Sequence, residues 1–585
     1  ISGTHSHSGT AGFLQYVLFE ITSLGFVRQS FDAFVTGITQ SIVRAHDNLQ
    51  PATVSAAVGE LLDTSVNRSP TSYAANPADE RELYEHDTDK NMTLLRFDAE
   101  DGSPIGTFNW FAVHGTSMNN TNKLLSGDNK GYAALRFEEY LNDGAMPGTG
   151  SVVTGFASTN LGDVSPNTEG AHCTDTGEPC DPITSTCNGK NELCVASGPG
   201  KDMFESTQII GEQQFKKAKE LYESDDRVPI KGEVDYRLTH LQMDSLPVTL
   251  ENGTVVNTCT PAMGYSFAAG TTDGPGMFDF TQGTTSGNPF WDAISHLIAD
   301  PSDEDIECQA PKPILLATGL CTFPYDWAAH VVSIQILRMG NFVILAVPAE
   351  FTTMSGRRLR KSVHQRLVDG GVIGEEDMIV IAGLANGYAD YVATYEEYQQ
   401  QRYEAASTIY GPHTLEAYIQ EFLKLADAMV AGEPVDLGPS EENLLDDQWE
   451  LLPGVIVDGH TLFGKFGAIE TDVESSYTPG QTASVTFQSA CPRNNLMTED
   501  TFLTVERKED DGSWTVVYND GHWETKFKWG RHSTITDESF ATIEWDIPTD
   551  TPSGTYRIQH FGYYKPLIGD VKSFSGTSSE FTVSS

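Results

Sequence analysis

The fold is decided by the stretch Val332-Ser333-Ile334-Gln335-Ile336-Leu337-Arg338-Met339-Gly340-Asn341-Phe342-Val343-Ile344-Leu345-Ala346-Val347. Two apolar runs flank a Gly-Asn pair, and this pattern is typical of a β-hairpin. The second run ends in Pro348-Ala349-Glu350-Phe351, and an arginine-rich segment follows it. The sequence therefore predicts a buried hairpin that carries Glu350 at its end and leads into a basic helix.

Other apolar strands also end in polar residues. A hairpin predicted from Met92–Phe97 and Ile105–Val113 ends at His114, and a strand predicted over 151–157 runs into the polar loop that contains Ser165. Residues 378–381 form a short strand before Tyr388 and Tyr391. In mixed α/β folds, sites are built at such strand ends. Strands are also predicted over 53–61, and helices over 30–48 (with Ser30 as N-cap), 211–224 and 414–431.

The pattern changes after about residue 440. An acidic, loop-like stretch is followed by short alternating strands without helices, predicted over 482–487, 501–506, 514–518, 541–545, 555–563 and 580–583. This spacing indicates a β-sandwich. We therefore predict a mixed α/β catalytic domain over residues 1–440, a linker over 441–467 and a C-terminal immunoglobulin-like β-sandwich over 468–585.

Charge and hydropathy restrict the partners of this chain. Its 585 residues carry a formal net charge of -46, which argues against nucleic acid as a partner and against docking on anionic lipid through a basic patch. No apolar run approaches the ~20 residues of a membrane span, and no signal peptide is visible. Because the chain opens on a candidate motif, we expect it to be N-terminally truncated.

Cysteine usage indicates an oxidising compartment. Cys173, Cys180, Cys187 and Cys194 lie seven residues apart in a loop that is too polar to form a core, and no Cys-x-x-Cys zinc pair is present. We expect three disulfides, Cys173–Cys187, Cys180–Cys194 and Cys259–Cys308, with Cys321 and Cys491 left over. Sequons at Asn67, Asn91, Asn119 and Asn252 also fit a secreted, cell-surface or luminal glycoprotein, although modification is not expected at Asn67, which Arg68-Ser69-Pro70 follows.

The N-terminal stretch Ile1-Ser2-Gly3-Thr4-His5-Ser6-His7-Ser8-Gly9 contains two histidines one residue apart. In an extended segment both would face one side. Two histidines and a carboxylate are the usual ligands of a catalytic zinc ion. Taken separately, however, His114 is also explained as a structural residue and Glu350 as a helix cap. Sequence spacing alone cannot show that they lie in one site.

A resemblance joins these residues. The chain resembles the neutral, non-lysosomal ceramidases, which cleave ceramide to sphingosine and a fatty acid. The matching stretches are Thr4-His5-Ser6-His7-Ser8-Gly9, Asn67-Arg68-Ser69-Pro70, Asn109-Trp110-Phe111-Ala112-Val113-His114, Ser126-Gly127-Asp128-Asn129-Lys130-Gly131-Tyr132, Asn160-Leu161-Gly162-Asp163-Val164-Ser165-Pro166-Asn167, Asp273-Gly274-Pro275-Gly276, Phe278-Asp279-Phe280-Thr281-Gln282-Gly283, Pro348-Ala349-Glu350-Phe351-Thr352-Thr353-Met354, Tyr395-Glu396-Glu397-Tyr398 and residues 403–414.

The resemblance implies a zinc ion held by His5, His114, Glu350 and a tyrosine. Tyr391 is preferred over Tyr388 because Tyr403 then falls where the family has a second active-site tyrosine. It further implies that Ser165 is the essential serine, usually called the nucleophile, with His7, Arg68 and Tyr403 around it. A second divalent ion, Ca2+ or Mg2+, is implied at Asp520, His522 and Thr525, although a histidine departs from hard-oxygen ligation there.

Two mechanisms and three functions follow. Either Ser165 attacks with His7 as base, or zinc-bound hydroxide attacks and Ser165 orients the substrate. Arg68 is expected either to stabilise an oxyanion or to form an ion pair with a nearby carboxylate. The expected function is ceramide hydrolysis. The alternatives are a zinc amidase for another N-acyl lipid and a non-catalytic secreted lipid-binding or adhesion protein. Because chain ends fray, we also expect His5 to be weakly held.

Overall fold

The computed structural model describes residues 1–278, 280–295, 297–461, 464–532 and 537–584. Asp279, which belongs to one of the matching stretches, lies outside this part. The chain forms two compact units. The first contains Ile1–Phe31, Thr39–Phe137 and Val152–Trp449, and the second contains Asp32–Ile38, Glu138–Ser151 and the chain from Glu450. The domain bounds at 440 and 468 stay a prediction.

The central sheet of the first unit has four strands, in the order Val234–Gln242, Val331–Met339, Phe342–Ala346 and Met378–Ala382. The middle two form the predicted antiparallel hairpin, and the last strand runs parallel to its neighbour after a helix, Thr353–Asp369. This is a βαβ crossover, so both parallel strands end at the same edge. The predicted hairpin and basic helix are confirmed.

The core of this unit lies on that sheet. Ile334, Ile336, Val343, Leu345 and Ile381 are fully buried, and the helices Thr353–Asp369 and Thr414–Ala431 pack their apolar faces against the same cluster. The sheet is therefore covered by helices, and its strand ends are rigid supports for side chains that follow them.

A second, five-stranded sheet has the order Val153–Ala157, Pro104–Trp110, Asn91–Ala99, Ala52–Glu60 and Val228–Pro229. The predicted hairpin is present, and its second strand pairs in parallel with Val153–Ala157. Trp110 pairs with Ala157, so the chain leaves this sheet toward His114 and toward Ser165 at neighbouring points.

The long helices agree with prediction except at their starts. Arg28–Asp47 and Thr414–Ala431 match, but Val27 and not Ser30 is the N-cap of the first, because Ser30 is buried inside it. Met203–Glu223 begins before the expected Gly211, since the Asp202 side chain caps it. The remaining helices are Val17–Glu20, Pro70–Tyr73, Ala78–Arg81, Asp128–Leu141, Tyr265–Ala268, Pro289–Ser295, Asp303–Gln309, Tyr395–Tyr398 and Tyr403–Ala406.

Short two-stranded pairings tie the loops of the first unit together. They are Val66–Asn67 with Val164–Ser165, Gly170–Cys173 with Cys194–Ser197, Pro247–Thr249 with Val255–Asn257, Met263–Gly264 with Ile314–Leu316, Gly270–Thr271 with Gly274–Pro275, and Glu350–Phe351 with Tyr391–Val392. The last pairing is parallel and sets Glu350 opposite Tyr391. Disulfides Cys173–Cys187, Cys180–Cys194 and Cys259–Cys308 are all formed, as predicted, and Cys321 and Cys491 are free and buried.

The second unit is a pair of β-sheets around one core. One sheet has the order Ile469–Thr471, Thr482–Ser489, Ser539–Asp546, Thr525–Arg531. The other has the order Ser476–Tyr477, Phe581–Val583, Gly554–Tyr564, Leu503–Lys508, Trp514–Asn519, with Lys572–Thr577 beside Gly554–Tyr564. Trp545 and Val485 of one sheet pack with Tyr556 and Ile558 of the other. The predicted strands are confirmed, and immunoglobulin-like topology stays a prediction.

The first residues of the chain are held on both sides. Gly3 donates its N–H to the Leu384 carbonyl at 3.2 Å, and the Ser2 hydroxyl donates to the Gly383 carbonyl at 2.5 Å. The Ser6 hydroxyl donates to the Ser126 carbonyl at 2.8 Å. The expectation that His5 sits in a frayed end is therefore wrong, because these hydrogen bonds and the isolated bridges Ser2–Ala385 and Ser6–Gly115 tie the segment to the rest of the unit. Within the described residues, no helix has the length and apolar character of a membrane span.

Candidate active site

His5 and His7 reach the site because their segment pairs with the loop after His114. Ser6 forms a parallel bridge with Gly115, and the His7 N–H donates to the Gly115 carbonyl at 3.1 Å. The approach is close enough that a Cβ at Gly115 would lie 2.5 Å from the His5 carbonyl oxygen. The His114 N–H in turn donates to the Val164 carbonyl at 3.1 Å. Glycine at 115 thus permits the three histidines to share one cleft.

The donor atoms of these residues converge on Glu350. His114 Nε2 lies 3.0 Å and His5 Nε2 lies 3.2 Å from Glu350 Oε2. His7 Nε2 lies 3.0 Å from His5 Nε2, and one ring nitrogen of each of the three histidines falls within 4.8 Å of the others. His114 and Glu350 are almost fully buried. The structure therefore joins His5, His114 and Glu350, which the sequence alone could not join, and adds His7 to the same cluster.

This cluster fits a cation. His114 Nδ1 lies 3.0 Å from the Val164 carbonyl oxygen, which can only accept, so Nδ1 carries the proton and Nε2 a lone pair. That lone pair faces Glu350 Oε2, and both atoms are buried without a hydrogen-bond partner. Two buried acceptors 3.0 Å apart repel one another unless a positive charge lies between them. Imidazole and carboxylate donors are those of zinc and similar divalent ions.

Electrostatics keep the cluster in its metal-binding state. Burial lowers the pKa of His114 and lowers the pKa of His7 well below its usual value, so both imidazoles are neutral near pH 7. Burial alone would raise the pKa of Glu350, but positive charge on the side of His5 and His114, whether a proton or a bound cation, outweighs burial and lowers that pKa well below the usual value. The site therefore combines neutral imidazoles with an ionised carboxylate.

Both candidate tyrosines border Glu350. Tyr388 donates its hydroxyl to Glu350 Oε1 at 2.6 Å, whereas Tyr391 pairs by backbone with Glu350 and accepts from Arg68 Nη2 at 3.2 Å. Burial, reinforced by the Glu350 charge, raises the pKa of both phenols well above the usual value. The Tyr403 ring packs edge-on against Tyr391, 5.4 Å between centroids. Tyr391 as ligand stays a prediction.

Ser165 is buried, and its hydroxyl has a defined direction. Ser165 Oγ donates to Asp273 Oδ1 at 2.5 Å and accepts from the Asn167 backbone N–H at 3.0 Å. His7, the expected base, faces His5 instead. Sequence reasoning missed Asp273 as a site residue, although the matching stretch Asp273-Gly274-Pro275-Gly276 was a signal that could have found it.

Arg68 links the two halves of the site. Its Nε lies 2.9 Å from Glu404 Oε1, its Nη1 lies 3.3 Å from Asp273 Oδ2, and its Nη2 donates to the Gly162 carbonyl at 2.8 Å. The alternative that Arg68 forms an ion pair with a carboxylate is confirmed, and two carboxylates share it. Glu404, also missed from the sequence, accepts a hydrogen bond from the Ser69 hydroxyl at 2.7 Å as well.

Buried polar side chains hold the strand ends that carry the site. Lys130 Nζ donates to the carbonyls of Phe111 and Ala157 at 2.9 and 3.1 Å, and Asn129 Nδ2 donates to the His114 carbonyl at 2.9 Å. Burial lowers the pKa of Lys130 to about 7. The motif around Asn129 therefore holds the backbone on which His114 lies.

The segment expected to hold a second divalent ion is engaged otherwise. Both Asp520 oxygens accept hydrogen bonds, one from the Thr501 hydroxyl at 2.8 Å and one from the Phe502 N–H at 2.8 Å. His522 Nδ1 accepts from the Asn519 N–H at 3.1 Å, and the Thr525 hydroxyl donates to the Asn519 carbonyl at 2.8 Å. The protein satisfies these groups itself, so the second ion stays a prediction.

Comparisons with known proteins agree with the motif resemblance. Residues 1–420 match the family model for the neutral/alkaline non-lysosomal ceramidase N-terminal region, and residues 422–583 match that for the C-terminal region. A neutral ceramidase of Oryza sativa subsp. japonica is 46% identical over 100% of this chain and 84% of its own length. A neutral ceramidase of Drosophila melanogaster is 48% identical, again over 100% of this chain and 84% of its own length.

Solved structures agree with these sequence matches. A ceramidase complexed with C2 aligns with a TM-score of 0.87 and 36% identity, covering 100% of this chain and 85% of that one. A neutral ceramidase from Pseudomonas aeruginosa aligns with a TM-score of 0.84 and 34% identity, over the same shares of the two chains. Fold and sequence thus point to the same family.

Proposed function

This chain belongs to the neutral/alkaline non-lysosomal ceramidase family, and on that premise we propose that it hydrolyses the amide bond of ceramide at the centre formed by His5, His114, Glu350 and Ser165. The products are sphingosine and a free fatty acid. The observation that carries the proposal is the buried contact of two lone pairs, His114 Nε2 and Glu350 Oε2, 3.0 Å apart. That contact needs a cation, and an amide needs an electrophilic catalyst.

The proposed ion is zinc, with His5, His114, Glu350 and Tyr391 as its ligands. Bound there, zinc supplies Lewis-acid polarisation of the substrate carbonyl. The chain holds these ligands ready, because His114 is fixed by the Val164 carbonyl and Glu350 by the Tyr388 hydroxyl. Such outer contacts orient ligands and set their basicity.

The remaining residues act on the substrate and on protons. Ser165 is the proposed nucleophile, since its hydroxyl is oriented by an acceptor and a donor at once. Arg68 supplies a fixed positive charge next to both Ser165's partner and Tyr391, where it favours negative charge that develops on the carbonyl oxygen. His7, which contacts His5, and Tyr403, which packs against Tyr391, are proposed to border the substrate.

The setting of the reaction follows from chain-wide properties. Ceramide is the proposed lipid substrate, and we propose that Met277 and Phe278, both largely exposed, line the mouth of an apolar pocket for it. Three disulfides support a secreted, cell-surface or luminal location. The net charge of -46 disfavours nucleic acid as a partner. A second ion, Ca2+ or Mg2+, stays proposed at Asp520, His522 and Thr525, whose hydrogen bonds within the protein it would have to replace.

The test combines metal analysis with turnover. We expect purified protein to contain one zinc ion per chain and to release fatty acid from a fluorescent ceramide. His114→Ala should lose the metal and the activity, while His46→Ala, at an exposed helix position, should keep both. Ser165→Ala should keep the metal and lose at least ~1000-fold in kcat, with Ser513→Ala as its matched control.

Two results would contradict the proposal. A metal-loaded wild-type chain that does not release fatty acid from ceramide would rule out the activity. Full activity in His114→Ala, with metal analysis showing no bound ion, would rule out the metal centre. Faster release from another N-acyl lipid than from ceramide would instead favour the related amidase.

A further inference from the structure

We propose that Asp273 is a catalytic residue of this centre, the carboxylate that receives the proton of Ser165 when the serine attacks. The inference deepens the proposed function and rests on it. It rests on three contacts of the two Asp273 carboxylate oxygens, all made by buried side chains. Asp273 Oδ1 accepts from Ser165 Oγ at 2.5 Å and from Asn167 Nδ2 at 2.8 Å, and Oδ2 pairs with Arg68 Nη1 at 3.3 Å.

The hydroxyl of Ser165 has one proton, and its place is fixed. The Asn167 N–H points at Ser165 Oγ from 3.0 Å and must be accepted there, so the hydroxyl proton lies on the Asp273 side. A hydrogen bond to an ionised carboxylate is among the strongest that a hydroxyl makes. Ser165 is therefore held with its free lone pair turned away from Asp273 and Asn167, and the substrate carbonyl is expected on that side.

The position of Asp273 is set by a tight hairpin and not by its own helix or strand. Gly270–Thr271 pairs with Gly274–Pro275, and the Asp273 N–H donates to the Thr271 hydroxyl at 3.2 Å. The hairpin packs so closely that a Cβ at Gly276 would lie 1.9 Å from the Ala268 carbonyl oxygen. A carboxylate placed this rigidly meets the geometric demand on a general base, which must lie within hydrogen-bond reach of the proton.

The proton and the bonds balance through the whole reaction. As Ser165 Oγ bonds to the carbonyl carbon, its O–H bond breaks and the proton moves to Asp273 Oδ1. When the C–N bond breaks, Asp273 returns that proton to the leaving nitrogen, which departs as the sphingoid amine. A water then bonds to the acyl carbon and gives a proton to Asp273. The acyl–Oγ bond breaks, Oγ takes the proton back, and the fatty acid leaves.

Arg68 lowers the electrostatic cost of moving the proton between Ser165 and Asp273 in either direction. It lies between Asp273 and Glu404, so a cation remains beside Asp273 in both of its protonation states. Because Glu404 keeps its own contact with Arg68 Nε, the guanidinium does not have to move when Asp273 is neutral. His7, which faces His5, is not needed for the serine proton in this scheme.

The test uses the metal-loaded full chain with ceramide as substrate. We expect Asp273→Asn to lower kcat at least ~100-fold and to leave KM within about threefold. Bound zinc should stay at one ion per chain. Asp175→Asn, an exposed substitution on the disulfide-bonded loop, is the matched control and should leave kcat unchanged.

A second variant covers the case in which Asp273→Asn does not fold. Asp273→Glu keeps the charge next to Arg68 but moves the oxygen away from Ser165 Oγ, so proton acceptance predicts at least a ~10-fold loss of kcat. Near wild-type kcat in Asp273→Glu, or more than a third of wild-type kcat in folded Asp273→Asn, would overturn the role of Asp273 while the wild type still turns over. Absence of turnover in the wild type would overturn this inference and the proposed function together.

Discussion

Arg68 Nε and Glu404 Oε1 form an ion pair 2.9 Å long from which solvent is almost completely excluded, with 4% and 3% of the two side chains exposed. A buried charge that loses its partner is costly, because the remaining charge is neither hydrated nor compensated. Here the Asp273 carboxylate remains as a second partner of the guanidinium. The pair therefore serves both the stability of the unit and the geometry of the site.

Glu404→Gln should lower the free energy of unfolding by about 2 kcal/mol, since one charged hydrogen bond is lost while Asp273 still compensates Arg68. Urea unfolding measures this value. The matched control is Glu220→Gln, which breaks the exposed helix pair with Lys217 and should cost less than ~0.5 kcal/mol. Equal losses of unfolding free energy in both variants would show that the buried pair stabilises the protein no more than the exposed pair does.

Asp89 should make stability depend on pH in the acid range. Burial alone would raise the pKa of Asp89, but the guanidiniums of Arg360 and Arg357 outweigh it and lower that pKa from 3.8 to about 2. A depressed folded pKa gives stability that is present above the unfolded pKa and lost as pH falls through about 2. The contribution is about 2 kcal/mol.

Asp89→Asn provides the measurement. The stability difference between wild type and Asp89→Asn in urea should be constant from pH 7 to about pH 4 and should shrink as the pH is lowered toward 2. Asp101→Asn, on an exposed turn, serves as the control and should not change the pH dependence by this amount. A difference that stays constant down to pH 2 would contradict the assignment.

Gly115→Val should weaken metal binding at least ~10-fold without unfolding the chain. The new Cβ would meet the His5 carbonyl oxygen at 2.5 Å and Ser6 Cα at 2.8 Å, so the N-terminal segment must move and take His5 with it. Competition with a chelator gives the affinity. Gly131→Ala, whose Cβ meets no atom within 4 Å, should bind the metal as tightly as wild type. Unchanged affinity in Gly115→Val would mean that the segment does not position His5.

Tyr391→Phe and Tyr388→Phe should distinguish the proposed metal ligand, Tyr391, from Tyr388, which hydrogen-bonds the ligand Glu350. With Cu2+ in place of zinc, a ligating phenolate gives a charge-transfer band in the visible range, and this band should vanish in Tyr391→Phe and persist in Tyr388→Phe. Loss of the Tyr388 hydroxyl frees Glu350 Oε1 from its 2.6 Å contact and should weaken affinity ~10-fold. A band lost only in Tyr388→Phe would reverse the assignment.

Local patterns predicted the scaffold well, since strands 331–339 and 342–346 and the helix after them follow directly from apolar periodicity and the Gly-Asn turn. They did not predict the start of helix Met203–Glu223, which is decided by the Asp202 cap. Helix Asp128–Leu141 was not predicted either. Its first residues are buried and polar, and they bind the backbone near His114 and do not pack in an apolar core.

The site was predicted only in part, for a physical reason. Motifs located His5, His114, Glu350 and Ser165, but contacts between residues far apart in sequence are set by packing. Asp273 lies 108 residues from Ser165, in a glycine-flanked turn without periodicity. Nothing in local sequence physics marks such a residue, so His7 was the expected base until the direction of the serine hydroxyl was known.

The contacts of residues 1–8 with distant parts of the chain also set the order in which the molecule folds. The Ser2 hydroxyl binds the Gly383 carbonyl, 381 residues later in the chain. At 5–20 residues per second, His5 leaves the ribosome roughly 20 to 80 s before its docking edge exists. His5 can therefore take up its final position only after Gly383 has been synthesised, and a nascent chain that stalls before Gly383 leaves His5 and His7 without this docking edge.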